Sequence, residues 1–374
     1  MRFIVLIACC FLISRQVTGQ ESVTLNRLRS AGFEQVSTAI IAKDQQVFFW
    51  EHRNFRSPYH SLKWARNHLE ETDSVFFVPL YMNRPMGVYD ANTFQYSPVS
   101  DEIANQYKNL NRPFAGYRWN FRISPDFSAR FGDFETPFRS RTNVIVDTRV
   151  FILPGLSVQT GMLIPIQNNL GQFGAYVRLS PSHLNYFISP FRHHFLSLTA
   201  GTFFQDRYGV DVQYRYDDFN KRWNIGVEAS LTGYYFIPGL SLYTESLNQL
   251  RILGDIEYRV MPWNVTTKLS IGRFLGNDDG IRFDIIKQYG LIDIGFFAAA
   301  TRNGTSGGFQ FAFPLFPGKL LRGKGWEIRT TEEFRWEYNY TYEAPIGRKF
   351  RLGMPRLADE LRQYNSEFIQ SLKR

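Results

Sequence analysis

TNVIVDTRVFILPGLSVQTGMLIPIQNN, residues 142–169, is the stretch that decides the fold class. Its first arm alternates: Val144, Val146, Thr148, Val150 and Ile152 share one side, and Asn143, Asp147 and Arg149 share the other. Successive strand side chains point to opposite faces, so one face is apolar and the other carries charge. Pro154-Gly155 predicts a tight turn, because Pro presets φ and Gly accepts positive φ. The second arm resumes with Leu156, Val158, Thr160, Met162 and Ile164 against Ser157, Gln159 and Gly161. Each arm has about ten residues, the length a tilted strand needs to cross a bilayer.

One such hairpin also suits a soluble sandwich, so the weight lies in its repetition down to residue 342. Residues 223–235 alternate, with Trp223, Ile225, Val227, Ala229 and Leu231 opposed to Asn224, Glu228, Ser230 and Thr232. Residues 250–260 set Leu250, Ile252, Ile256, Tyr258 and Val260 against Arg251, Asp255, Glu257 and Arg259. Residues 326–340 set Ile328, Phe334, Trp336, Tyr338 and Tyr340 against Glu327, Arg329, Glu333, Arg335 and Glu337. Further strands are expected at 194–204, 209–216, 264–274, 280–289, 291–301 and 306–314. The total is roughly 12 to 14 antiparallel strands, and closed bacterial barrels favour an even number. A sandwich also alternates. Near-spanning strand lengths and aromatics gathered at strand ends favour a membrane barrel.

The amino terminus supplies a route to that destination. Met1-Arg2 and an apolar run from Phe3 to Ile13 precede small and polar residues, which reads as a signal peptide over residues 1–19, cleaved after Gly19. Leu6-Ile7-Ala8-Cys9 has the letters of a lipoprotein box but almost no hydrophobic run ahead of the cysteine. Cys9 and Cys10 are the only cysteines, so the mature chain is expected to have none, which excludes disulfide scaffolds and thiolate metal sites. No later stretch reaches the length of a membrane helix. Aromatic residues make up 17% of the chain, the excess that interfacial girdles demand. The net charge of +9 suits contact with anionic sugars or lipid phosphates. No basic cluster is dense enough for nucleic acid.

The expected fold is therefore mainly β: a transmembrane outer-membrane barrel over residues 114–345 behind a small periplasmic α+β domain over residues 20–89. In that domain a short helix at 23–31 leads to strands at 36–42 and 45–53, where Phe48 and Trp50 oppose Val47 and Phe49. Ser57-Pro58 predicts a capped helix over 59–69 with Leu62, Ala65 and Leu69 on one stripe. Strands at 75–80 and 86–89 complete an α-β-β-α-β-β order. Residues 90–113 are polar and aperiodic and are read as a linker that enters or braces the barrel mouth. The tail, 346–374, carries Leu357, Leu361, Tyr364, Phe368 and Leu372 at helical spacing, which predicts a short amphipathic helix against the barrel rim or the small domain.

With this strand phase, Asp147, Arg149, Glu228, Arg251, Asp255, Glu257, Arg259, Lys268, Arg329, Glu333 and Arg335 point into the lumen. Mixed signs there mean either ion-pair packing of a closed, structural interior or a hydrated path for a polysaccharide. No catalytic set emerges. Among the six histidines, His60 and His68 are read as helix surface residues, and His183, His193 and His194 sit outside any nucleophile motif. Asp217-Asp218 and Asp278-Asp279 are read as turn residues, too few in oxygen for calcium. No metal or other cofactor is expected.

Several stretches together resemble the YjbH-type exopolysaccharide outer-membrane proteins, the family that includes the barrel of group 4 capsule operons. They are GFEQV (32–36), FWEHRNFRSPYHSLKWARNHL (49–69), RVFILPGLSVQTGMLIPIQNN (149–169), YGVDVQYRYDDFNKRWNIGVEAS (208–230), KLSIGRFLGNDDGIRFDIIKQYG (268–290) and GGFQFAFPLFP (307–317). The resemblance implies a barrel in the outer membrane of a Gram-negative bacterium that exports or assembles an exopolysaccharide. It also implies partners: the polysaccharide, outer-membrane lipid, and periplasmic or lipoprotein components of an export system. Larger members look like two such units in one chain, and this chain has one, so a second barrel is a further candidate partner. An outer-membrane lipid hydrolase and a structural barrel anchoring a periplasmic complex are the alternative functions.

Overall fold

The structure is a computed structural model that describes residues 23–41, 45–69, 75–110, 117–131, 138–170, 176–237, 241–318, 320–340 and 346–373. The expected signal peptide lies outside the described residues. The chain is mainly β, and among the described residues no helix is long and apolar enough to cross a membrane.

The amino-terminal module opens with helix α1 (Val23–Ala31), strands β1 (Glu34–Ile41) and β2 (Gln45–Glu51), and helix α2 (Pro58–Arg66). Strands β3 (Val75–Tyr81), β4 (Arg84–Pro85), β5 (Val88–Asp90) and β6 (Tyr96–Ser97) follow, then helix α3 (Asp101–Leu110). Strand β2 pairs in parallel with β3, and α2 makes the crossover between them. The alternation expected in β2 is realised with both faces buried. Phe48 and Trp50 pack with Leu62, Ala65 and Phe77, while Val47 and Phe49 pack with Val78, Ile103 and Tyr107. Ser57 stands at the α2 cap position, but its side chain makes no capping bond.

The linker expectation for residues 90–113 is corrected. This stretch contributes β6 to the sheet and α3 to the second core. The stripe was hidden because only Ile103 and Tyr107 of α3 are buried, too few to stand out as a period.

The second body is a ring of strands: β7 (Trp119–Phe131), β8 (Phe138–Leu153), β9 (Leu156–Asn168), β10 (Arg178–Leu179), β11 (His183–Phe191), β12 (His194–Phe203) and β13 (Arg207–Asp217). It continues through β14 (Trp223–Phe236), β15 (Tyr243–Thr244), β16 (Gln249–Val260), β17 (Val265–Phe274), β18 (Asp278–Tyr289), β19 (Ile292–Thr301) and β20 (Gly304–Phe313). Strands β21 (Leu320–Gly323), β22 (Trp326–Thr330) and β23 (Phe334–Tyr340) complete it. The expected single strand over 326–340 is thus broken at Thr331–Glu333. Its first half, β22, pairs in parallel with β7, and its second half, β23, pairs antiparallel with β20.

That parallel pair is a counting consequence. Setting aside the short β10, β15 and β21 and joining β22 to β23 leaves thirteen long strands. In an up-and-down ring with an odd number, the first and last strands must run the same way. The pairing closes with β22 against β7 for that reason; thirteen lies within the 12 to 14 expected, without the even number that closed bacterial barrels favour.

The 154–155 turn joins β8 to β9, and Gly155 has φ +82. A Cβ at that position would stand 2.2 Å from the carbonyl oxygen of Phe187, so the turn requires glycine. The ring's two ends differ. On the side of the small module the connections are short, as at 192–193 and 218–222, while the other side mixes short ones, at 204–206, 275–277 and 302–303, with longer ones, as between β9 and β10.

Candidate functional site

The predicted strand phase is the observed one. Val227 and Ile256 are 47% and 48% exposed on the outer wall, whereas Glu228 and Glu257 beside them are 3% and 1% exposed inside. All eleven residues expected in the lumen are inside; nine of them sit in ion pairs, and Arg149 and Arg259 are hydrogen-bonded to glutamines. Arg251 donates to Asp211 at 2.9 Å and Glu228 at 2.7 Å. Lys268 bridges Asp255 at 3.3 Å and Glu257 at 3.4 Å. Asp147 is held by both arms of Arg122 at 2.8 Å. Arg149 donates to Gln159 at 2.9 Å, and Arg329 to Glu332 at 3.0 Å. Glu333 accepts from Arg335 at 2.8 Å, and Arg259 donates to Gln288 at 2.6 Å. Charges this deeply removed from water persist only when paired and hydrogen-bonded.

The interior is occupied by the chain's own tail. Helix α4 (Leu357–Leu361), a 3-10 turn (Arg362–Tyr364) and helix α5 (Ser366–Ser371) replace the single amphipathic helix expected. The path can be followed by its bonds. At the mouth away from the small module, the Gly347 amide donates to Asp278 at 2.8 Å. Arg351 then pairs with Asp126 at 2.6 Å, and Gln159 donates to the Gly353 carbonyl at 2.9 Å. Midway, Arg356 pairs with Glu228, and the Leu357 amide donates to Gln213 at 2.8 Å. Arg362 pairs with Glu257 at 2.7 Å and accepts on its carbonyl from Arg259 at 2.9 Å. At the near mouth, Ser366 donates to the Phe219 carbonyl at 2.8 Å, and Gln370 to the Phe94 carbonyl at 2.7 Å. The tail threads the ring from one mouth to the other and ends against the small module.

Asp278, expected as a turn residue, is therefore a fully buried anchor that also accepts from the Asn303 amide at 3.0 Å. Asp217 likewise ends β13 buried at 4%, not in the turn. Sequence reasoning missed Arg351, Arg356 and Arg362 because a tail has no strand period to give its phase. Their one signal was density: GRKFRLGMPRLADELR, residues 347–362, is rich in arginine between scattered apolar residues.

The small module plugs the near mouth. Phe151, Phe187, Phe195 and Phe219 of the ring share one apolar core with Trp50, Leu62 and Tyr89 of the module and with Leu357, Leu361, Tyr364 and Ile369 of the tail. Arg56 reaches out of the module to Glu333 at 2.5 Å and to Asp293. A pocket of about 60 Å³ at this junction is lined by Glu51, Arg53, Arg56, Arg149 and Glu360, among others. Burial pushes Glu51 up to about 7, against the pull of Arg53. Burial, with Arg329 and three further arginines nearby, holds His52 down at about 3.

Beside the tail a cavity of about 1260 Å³ remains, lined by residues of β7, β18, β20, β23 and the tail itself. It reaches from Arg130, Tyr340 and Arg348 at the far mouth to Asp359, Arg362 and Glu333 in depth. Among the described residues, no group of three or more His, Cys, Asp or Glu side chains is arranged to hold a metal ion.

A family model described as exopolysaccharide biosynthesis protein YbjH (YjbH) matches residues 88–311, from β5 through most of β20. No curated protein and no solved structure matches the chain.

Proposed function

This chain belongs to the YjbH exopolysaccharide biosynthesis family, and from that premise we propose that it is an outer-membrane β-barrel taking part in the export or surface assembly of an exopolysaccharide. One observation carries the reading: a ring of strands that is apolar outside and charged inside, with a cavity of about 1260 Å³ running beside an internal tail. Strands of 10 to 16 residues, such as β8 and β19, match a tilted bilayer crossing. Exposed aromatics stand near both rims: Trp119, Trp223, Tyr258 and Trp263 toward the small module, Phe138, Phe236 and Tyr243 toward the other. That is the distribution interfacial girdles have. The longer connections, such as that from β9 to β10, lie on the side away from the module, which supports a periplasmic module and an outward-facing far mouth.

The partners of this reading are the polysaccharide in the cavity, lipid around the outer wall, and periplasmic or lipoprotein export components at the small module. A structural barrel that anchors a periplasmic complex is the second reading, and the tail that fills much of the lumen favours it. A clean deletion, with polysaccharide measured separately outside the cell and in the periplasm, tests both. Polymer trapped in the periplasm and released by the wild-type gene supports export. Unchanged polymer with displaced periplasmic components supports the anchor. Unchanged polymer with altered outer-membrane lipid sinks both in favour of a lipid-modifying enzyme.

A further inference from the structure

The charges lining the cavity beside the tail are unequal, and the inequality is not spread evenly. Eleven Lys or Arg residues line it against six Asp or Glu. Every one of the six acids is already ion-paired: Asp147 with Arg122, Asp284 and Glu337 with Arg282, Glu332 with Arg329, Glu333 with Arg335, and Asp359 with Arg362. Several cations are matched from behind the wall, Lys268 by Asp255 and Arg356 by Glu228. Arg130, Arg348 and Lys349 are not; among the described residues none of them forms an ion pair, and all three face the cavity. Arg130 and Arg348 are exposed at the far mouth, where a charge keeps its hydration without a partner, and Lys349 is half-buried beside them, so all three are available to whatever enters. Three uncompensated cations on one cavity, with no free acid, describe a place for an anion that the chain does not supply.

The volume limits what that anion is. About 1260 Å³ exceeds the ~300–1,000 Å³ typical of small-molecule pockets, and tail residues from Arg348 to Arg362 line the cavity. Tyr234 lines it as well, offering a ring face and a phenol hydroxyl, and Tyr338 and Tyr340 border it from the outer face of β23. Such amphipathic surfaces suit a chain with hydroxyl edges and C–H faces.

We propose that this cavity binds a segment of acidic polysaccharide, its carboxylate or phosphate groups neutralised by Arg130, Arg348 and Lys349. The proposal rests on the export reading but specifies the polymer class, and its test needs no secretion, so the two fail separately. Purified full-length protein in detergent is titrated calorimetrically with an oligogalacturonate of about ten sugars and with its methyl ester, which is the same chain without charge. Expected is binding of the acid form that weakens steeply with salt, as charge–charge contacts screened by mobile ions do, and at least tenfold weaker binding of the ester. The double variant R348E/K349E should lose at least tenfold in affinity for the acid form. Arg130→Glu, on a strand instead of the tail, should lose affinity independently, with heat-modifiable gel migration reporting that each variant is folded. Equal affinity for acid and ester, no binding of either, or folded variants that bind as the wild type does would each overturn the proposal.

Discussion

Arg251 is the residue in which the logic of the interior is most concentrated. It is 0% exposed, paired to Asp211 and Glu228, hydrogen-bonded to Ser230 at 3.1 Å, and covered by the Phe350 ring of the tail 5.2 Å away. Its position was legible because Leu250 and Ile252 flank it in a period-two pattern. Its partners were not, because Asp211 lies 40 residues away, two strands over. The opposite face allows a sharp prediction at the same scale. Val227 is 47% exposed on the outer wall, so Val227→Arg sets a charge in the lipid if the wall spans a membrane. The expected loss is about 2–4 kcal/mol near the midplane, falling toward zero at the rims. Denaturant unfolding from lipid vesicles reads it; an unchanged midpoint would mean that this face meets water or another protein.

At the scale of elements, the tail is the part that turns a ring into a filled body. Its arginines neutralise wall acids in sequence, Asp126 by Arg351, Glu228 by Arg356 and Glu257 by Arg362. Deleting residues 347–374 should therefore do two things at once in a planar bilayer. Single-channel conductance should rise, because the occupying segment is gone. Selectivity should move toward cations, because seven cations leave with only three acids, Asp126 loses its ion partner, and Glu228 and Glu257 each lose one of theirs. A rise without a shift in reversal potential would show that the tail fills the lumen without governing its charge. The tail's apolar spacing was readable in the sequence, and Leu357, Leu361 and Phe368 are indeed buried. Its break into two short helices follows from contacts a sequence does not display: Asn365 caps α5 by accepting from the Phe368 amide and donates to the Lys221 carbonyl.

For the whole molecule, the small module, the ring and the tail meet in one apolar core, and the titrating groups at that junction make its stability depend on pH. His52 is stacked on Phe55 and lies below its ordinary value at about 3. A group that resists protonation when folded contributes its full stability above an unfolded pKa near 6.5 and loses it as pH falls toward the folded value. Glu51, raised to about 7, works the other way: its contribution is present below about 4.5 and lost as pH climbs to 7. The variant His52→Phe keeps a ring between Phe33 and Phe55 and removes only the first of these. Between pH 7.5 and 5.0 the loss from His52 opposes the gain from Glu51, so the urea midpoint, followed by hydrogen exchange of β2, should rise in the variant relative to the wild type as pH falls across this window. An identical pH dependence in both proteins would place the pH sensitivity elsewhere.

Local chemistry was enough to determine the class of strand, its phase and most of its ends. Period-two alternation in residues 142–169 and 223–260 reflects only the two-sided geometry of a strand, which every residue carries by itself. The predicted strands at 194–204, 264–274 and 280–289 accordingly end within two residues of β12, β17 and β18. What the tertiary structure alone decided depends on partners far apart in the chain. The break at Thr331–Glu333 lets one strand serve two neighbours, β7 on one side and β20 on the other. Helix α3 joins a core whose other walls begin 54 residues earlier, at Val47 and Phe49. The tail enters the lumen because wall carboxylates from strands spread over residues 126–257 stand in line to receive its arginines. Coulomb attraction and burial act through space, so such pairings have no period along the chain.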